Sequence, residues 1–166
     1  DHFLANIPVA PGAVISGYWP IRDEFDDMAI LRRMSLAGYL CALPYVDKKR
    51  HVLVFREWQP GTAMIAGPFQ IPEPTEAAPE VTPSILLTPL LAYDSAGFRL
   101  GYGGGYYDGA LAALRAAGGP VLAVGTAFTE QMVERVPQTA KDEQLDWIVT
   151  ERGAMPFESK NSQESE

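Results

Sequence analysis

The stretch Ser84–Gly119, SILLTPLLAYDSAGFRLGYGGGYYDGALAALRAAGG, decides the fold. It opens on SILLTPLLAYD, a near-continuous apolar run without polar alternation, which reads as a strand buried on both faces of a parallel sheet. It continues into RLGYGGGYYD, Arg99–Asp108, with four glycines and three tyrosines in ten residues. Beyond that, Tyr107, Leu111 and Leu114 recur at i, i+4 and i+7, the spacing of one helix face, and Gly118-Gly119-Pro120 closes the run. A buried strand, a glycine loop and a helix in that order form one unit of an α/β fold with a mostly parallel sheet.

The flanking sequence repeats the alternation. AVISGYW, residues 13–19, reads as a strand ended by Pro20. RDEFDDMAILRRMSLAG, residues 22–38, reads as a helix with Asp23 at its N-cap and Glu24, Asp26 and Asp27 in the first turn. Arg32 and Arg33 lie towards its far end, Gly38 is the residue past it, and Phe25, Met28, Ile30, Leu31 and Met34 form the apolar face. YLCALPYV and HVLVFREW read as two strands around the turn DKKR, a candidate hairpin. Five prolines between Pro68 and Pro83 predict ordered loop or extended chain, since proline removes ladder donors. VLAVGTAF, TEQMVERV and DWIVT then predict a strand, a short helix and a last strand. The expectation is a Rossmann-like, three-layer α/β fold: one domain over residues 1–155, then a polar, frayed tail over 156–166.

Composition narrows the function. Apolar residues are 47% and charged residues 20%, ordinary for a globular domain. No run approaches the ~18 apolar residues of a membrane span, and no secretory signal pattern opens the chain. Cys41 is the one cysteine, so no intrachain disulfide can form; it reads as a buried strand residue. His2 and His51 are in no metal-ligand spacing, which speaks against zinc. A net charge of −8 speaks against nucleic acid, whose phosphates need clustered Lys and Arg. The expectation is a cytoplasmic monomer acting on small molecules, with no nucleic-acid or membrane partner.

The loop's chemistry follows from its backbone. Helix N-termini present unpaired N–H groups and partial positive charge, and glycines let a ligand come close. A Walker A loop needs GxxxxGK[ST], and no lysine is present; a dinucleotide fingerprint needs GxGxxG, and the sixth position from Gly101 is Tyr106. Arg99 reads either as a phosphate clamp or as a surface ion pair. Asp108 reads either as a helix-start acid or as a ligand to Mg2+. Tyr102, Tyr106 and Tyr107 read either as core or as rings flanking a heterocycle.

LAYDSAGFRLGYGGGYYD, Leu91–Asp108, resembles the signature of the 5-formyltetrahydrofolate cyclo-ligase family in its string RLGxGxGYYD preceded by an aspartate and a glycine. SGYWPIRDEFD, FREWQPG, IPEPTE and AFTEQMVERVPQTAKDEQLDWIVTERG occur in the family's order, so the resemblance runs from Val14 to Gly153. It implies an ATP- and Mg2+-dependent ligase. The formyl oxygen of 5-formyltetrahydrofolate attacks the γ-phosphate of ATP, and the N-10 amine closes on the resulting iminophosphate to give 5,10-methenyltetrahydrofolate. By resemblance, Arg99, Leu100, Gly101, Tyr102, Gly103, Gly104, Gly105, Tyr106 and Tyr107 bind the nucleotide, with Arg99 and Tyr106 catalytic. Tyr102 to Tyr106 also touch the folate, together with Trp19 and Glu24, and Asp108 and Asp142 hold the metal. Read from the residues alone, Glu24 is a helix-start acid, Asp142 a loop aspartate and Trp19 core.

Two departures stand out. The family's basic N-terminal helix, which contacts the ATP phosphates, is expected before Asp1 and is not in this sequence. Gly109 stands where many relatives carry a bulkier residue, which weakens the helix start by up to ~1 kcal/mol relative to Ala. A second reading is a non-catalytic folate- or nucleotide-binding module of the same fold. A third, a sugar-phosphate isomerase or transferase, rests on fold analogy alone and has no clear acid/base pair.

Overall fold

Each central strand carries apolar residues on both of its faces. The structure, a computed structural model that describes residues 2–159, packs helices against both sides of that sheet. The strands are β1 (Val14–Ser16), β2 (Leu40–Asp47), β3 (Val52–Trp58), β4 (Met64–Ala66), β5 (Pro72–Pro74), β6 (Glu80–Val81), β7 (Ile85–Thr88), β8 (Ala92–Tyr93), β9 (Arg99–Leu100), β10 (Leu122–Thr126), β11 (Trp147–Thr150) and β12 (Gly153–Pro156). The helices are α1 (His2–Asn6), α2 (Met28–Leu36) and α3 (Tyr106–Ala116). Eight strands form the main sheet in the order β12-β11-β10-β7-β1-β2-β3-β6. The pairs β11–β10, β10–β7, β7–β1 and β1–β2 are parallel; β12, β3 and β6 join antiparallel at the edges.

Side chains alternate between two cores, as the strand period of two requires. Cys41, Leu43, Ile85, Leu87, Val124 and Val149 face α1 and α2, where Phe3, Met28, Leu31 and Met34 complete the cluster. Ala42, Leu86, Ala123 and Ile148 face α3, where they meet Ala110 and Leu111. The expected three-layer α/β arrangement is therefore observed, and Cys41 is a buried strand residue as read from the sequence.

Several boundaries differ from the sequence reading. The first strand stops at Ser16 rather than running to Trp19, because the Tyr18 N–H bonds the Asp27 carboxylate instead of a ladder partner. The second helix begins at Met28, so Asp23 is no N-cap and Glu24 no helix-start acid; Gly38 does lie past its end, at φ 91°. SILLTPLLAYD breaks at Pro89, and its end, β8, forms a short hairpin with β9. TEQMVERV forms only a 3-10 turn over Thr129–Gln131, because the Val133 and Val136 amides bond Tyr93 O and Asp94 Oδ2. The expected domain end at 155 falls short. Pro156 pairs with Trp147, and Phe157 packs into the α3-side core. The tail expected over 156–166 lies outside the described residues from 160 onward. Helix α1 is a further element that the sequence reading lacks.

Candidate active site

The strand order fixes where a ligand can sit. From β1 the chain moves through α2 to β2 on one side, while β7 lies on the other side of β1, so the sheet's direction of winding changes between β1 and β7. In open α/β sheets the crevice beyond the carboxyl ends at such a point is the binding site. The segment leaving β1 carries Trp19 and Glu24; the segment leaving β7 leads to the glycine loop. These two segments come from separate parts of the chain.

The loop itself is shaped by its glycines. Gly103 and Gly105 have φ of 90° and 70°, and Gly105 is the residue from which α3 starts. The Tyr106 ring lies over Gly104, where a Cβ would come within 2.9 Å of it. Arg99 lies beneath the loop: a Cβ on Gly101 would meet its Nη1 at 2.8 Å. The loop backbone is therefore exposed on one side and rests on a guanidinium on the other.

Arg99 is nearly buried, its side chain 7% exposed. Its Nη1 donates to Pro89 O at 3.2 Å, its Nη2 lies 3.7 Å from Asp108 Oδ1, and the guanidinium carbon is 5.5 Å from the Tyr107 ring centre. Its Nε is buried with no hydrogen-bond partner among the described residues. Burial lowers its pKa, and the charges of Asp108, Tyr107 and Asp142 act against that. The sequence left open a surface ion pair; the structure instead gives a sequestered cation with spare donor capacity.

Asp108 sits in the first turn of α3, and its Oδ1 also accepts the Glu143 N–H at 3.1 Å. That contact ties it to the loop carrying Asp142, which Arg115 of α3 anchors through Glu143 at 2.6 Å and Asp146 at 3.2 Å. Asp142 Oδ2 accepts the Thr139 N–H at 2.7 Å. These backbone bonds engage Oδ1 of Asp108 and Oδ2 of Asp142. Two carboxylates are the kind of donor that Mg2+ takes from a protein when substrate phosphates and water complete its shell. Among the described residues, no group of three or more His, Cys, Asp or Glu gathers into a metal site.

On the β1 side, Glu24 Oε2 accepts the Ile21 N–H at 2.8 Å, and the Glu24 carboxylate lies near enough to the Tyr102 phenol to raise its pKa. Burial and Glu24 push that phenol up to about 12, so it stays a donor. Glu24 and Tyr102, far apart in sequence, thereby form one contact across the crevice. Trp19 is half-buried and packs against the α1–α2 core, so its core reading holds for part of its ring. Phe25 packs against Phe128 with the rings tilted at 53° and their centres 5.4 Å apart. Tyr107 is half-buried between the two cores, with its pKa raised by burial first and then by Asp27. Leu100 is exposed.

Three residues of this region were given no part in the site by the sequence: Asp27 read as a helix-start acid, Asp94 only as the aspartate before the glycine string, and His51 only as a histidine outside any metal-ligand spacing. His51, at the turn between β2 and β3 with φ 54°, stacks on Tyr106 at 4.5 Å, with Nδ1 3.2 Å from its hydroxyl. Asp94 is buried and accepts the Ala96, Phe98 and Val136 amides, which shapes the hairpin leading to Arg99. Asp27 is fully buried beneath Tyr18. Asp94 had a signal, its place in a D-x-x-G turn; the other two depend on long-range packing with no local pattern.

A three-layer α/β domain with a cation under a glycine loop at its switch point has the architecture on which α/β enzymes can bind anionic small molecules at a helix N-terminus. Comparison with known proteins gives the family: residues 1–151 match the sequence model of the 5-formyltetrahydrofolate cyclo-ligase family, and the chain belongs to it. The 5-formyltetrahydrofolate cyclo-ligase of Haemophilus influenzae is 33% identical over 142 residues, covering 82% of this chain and 75% of the relative. That of Escherichia coli K12 is 29% identical over 148 residues, covering 86% of this chain and 80% of the relative. Among solved structures, the NMR structure of Aquifex aeolicus 5,10-methenyltetrahydrofolate synthetase superimposes with a TM-score of 0.71 at 30% identity, covering 89% of this chain and 72% of that one. The Mycoplasma pneumoniae 5,10-methenyltetrahydrofolate synthetase, at 21% identity and a TM-score of 0.60 over 83% of this chain and 73% of that one, shares the fold.

Proposed function

We propose that the chain converts 5-formyltetrahydrofolate to 5,10-methenyltetrahydrofolate at the expense of ATP, with Mg2+. The observation that carries this reading is the Arg99 guanidinium. It lies buried beneath an exposed glycine loop with its Nε unpartnered, beside the Glu24–Tyr102 contact. A buried cation of that kind is stabilised by an anion placed on the loop. When bound, ATP supplies the phosphoryl group that makes the formyl oxygen a leaving group, and Mg2+ offsets the phosphate charge.

The chain's own residues bind and orient. Arg99 and the loop N–H groups hold phosphate oxygens, and Asp108 and Asp142 would hold the metal through their carboxylates. Glu24 accepts from the pterin, with the Tyr102 phenol fixing the carboxylate's direction. Trp19, Tyr102, Gly103, Gly104, Gly105 and Tyr106 frame the folate beside the phosphates, so that positioning does most of the catalysis. Leu100 and Tyr107 complete the nucleotide loop, and Arg99 and Tyr106 are the residues taken as catalytic. We take the enzyme to be a cytoplasmic monomer; its single cysteine, Cys41, is buried and free, as a reducing compartment allows.

The test is conversion of 5-formyltetrahydrofolate followed by near-ultraviolet absorbance. Product formation needing both ATP and Mg2+ supports the reading, and its absence under all conditions refutes it. Tyr102→Phe should raise the KM for the folate and leave that for ATP in place.

A further inference from the structure

Residues 17–27 carry Trp19 and Glu24 yet contain no strand or helix, so something other than a ladder holds their shape. Asp27 closes the segment. It is fully buried, and its Oδ2 accepts the Tyr18 N–H at 2.8 Å, joining the two ends of the loop. The Tyr18 hydroxyl then donates to Phe25 O at 2.9 Å. Because that carbonyl can only accept, Thr126 donates in turn to the Tyr18 oxygen at 2.6 Å, which fastens the loop to β10. The Ile21–Glu24 bond sets the carboxylate that meets Tyr102.

The packing around Asp27 is tight and its chemistry unfavourable. A Cβ on Gly17 would lie 2.6 Å from Asp27 Oδ2 and 3.0 Å from Leu31 Cδ2, so only a glycine there leaves the carboxyl its place. Asp27 Oδ1 is buried without a partner among the described residues. Burial raises the carboxyl's pKa, Asp26 and Glu24 push the same way, and the Tyr18 N–H bond opposes them. A buried carboxyl with an unsatisfied oxygen costs stability, so its presence here points to a role other than stabilising the fold.

We propose that Asp27 is a positioning residue for the substrate site: its carboxyl clamps the 17–27 loop and so sets Trp19 and Glu24 against Tyr102, without touching the substrate. This rests on the proposed function only in taking Trp19 and Glu24 to face the folate. Gly17 is part of the same device, as the residue whose missing Cβ makes room for the clamp.

The experiment compares Asp27→Ala, Gly17→Ala and Asp27→Asn with the unaltered chain. In steady-state kinetics the two alanine variants should raise the KM for 5-formyltetrahydrofolate about tenfold and keep that for ATP within about twofold. Asp27→Asn keeps an oxygen for the Tyr18 N–H and should stay within about threefold on both. An equal rise in both KM values, a fall in kcat alone, or an asparagine variant as impaired as alanine overturns the proposal. Amide hydrogen exchange gives a readout that needs no turnover. In Asp27→Ala, residues 18–25 should exchange faster while β7 and β10 stay protected. Unchanged exchange in the loop, or a loss spread over the whole sheet, also overturns it. If the unaltered chain forms no product, the proposed function fails, while exchange still decides the role of Asp27.

Discussion

Arg99→Met should leave the free protein about as stable as before and remove most of its affinity for ATP. Methionine keeps an unbranched apolar stem in the space under Gly101 and Tyr107 and removes the charge and the donors. What the free protein loses is one hydrogen bond to Pro89 O at 3.2 Å, of the kind that contributes about 0.5–1.5 kcal/mol. It also loses a 3.7 Å ion pair to a partly exposed Asp108, which contributes about 0–1 kcal/mol. Against this, the variant no longer buries a cation whose Nε has no partner, a penalty of about 1–3 kcal/mol. Asp108 is not stranded, since it keeps the Glu143 N–H. These opposing amounts leave a net change within about 1 kcal/mol. With ATP present the variant lacks charge-assisted bonds to phosphate, and losing about 3 kcal/mol corresponds to roughly 100-fold in Kd. Urea unfolding measures the first quantity and titration calorimetry with ATP and Mg2+ the second. Unchanged ATP affinity together with a stability loss above about 3 kcal/mol would make Arg99 a structural cation and refute the reasoning.

Further predictions follow from single residues. Gly105→Ala should destabilise the protein by about 1–2 kcal/mol, since φ is 70° and the surrounding space is open. Gly109→Ala, inside α3 and equally unobstructed, should stabilise by about 0.5–1 kcal/mol; urea unfolding showing the same sign for both would refute the backbone argument. Asp27→Asn should gain stability over the unaltered chain as pH rises. The folded carboxyl titrates well above the ordinary 3.8, so its contribution is complete below that value and is lost as pH climbs through the folded value; a gap independent of pH between 4 and 8 would contradict this. Cys41, buried and pushed up to about 11, should resist a thiol reagent at pH 8 in the native state and react on unfolding. Prompt native labelling would count against its burial.

The parts of the fold legible in the sequence were those whose signal is local. The apolar runs of β2, β7, β10 and β11 face cores on both sides, so their composition alone identified them. Gly38 marked the end of α2, and the spacing of Tyr107, Leu111 and Leu114 marked α3. The misreadings arose where tertiary bonds outbid local preference. The acids from Asp23 to Asp27 look like a helix start, yet Asp27 turns inward to Tyr18 and delays the helix to Met28. TEQMVERV has a helical pattern, but Tyr93 and Asp94 capture its amides. In the site, the glycine loop, Arg99 and Asp108 were visible because they are contiguous. The Glu24–Tyr102 and His51–Tyr106 contacts join segments far apart in sequence, and no local pattern encodes them.

The most direct test of the central claim is the formation of 5,10-methenyltetrahydrofolate from 5-formyltetrahydrofolate by this chain, followed by absorbance with ATP and Mg2+ each present or withheld. The account predicts product only when both are supplied, and loss of that product in Arg99→Met. Turnover without ATP, or tight binding of the folate with no turnover under any condition, would contradict it.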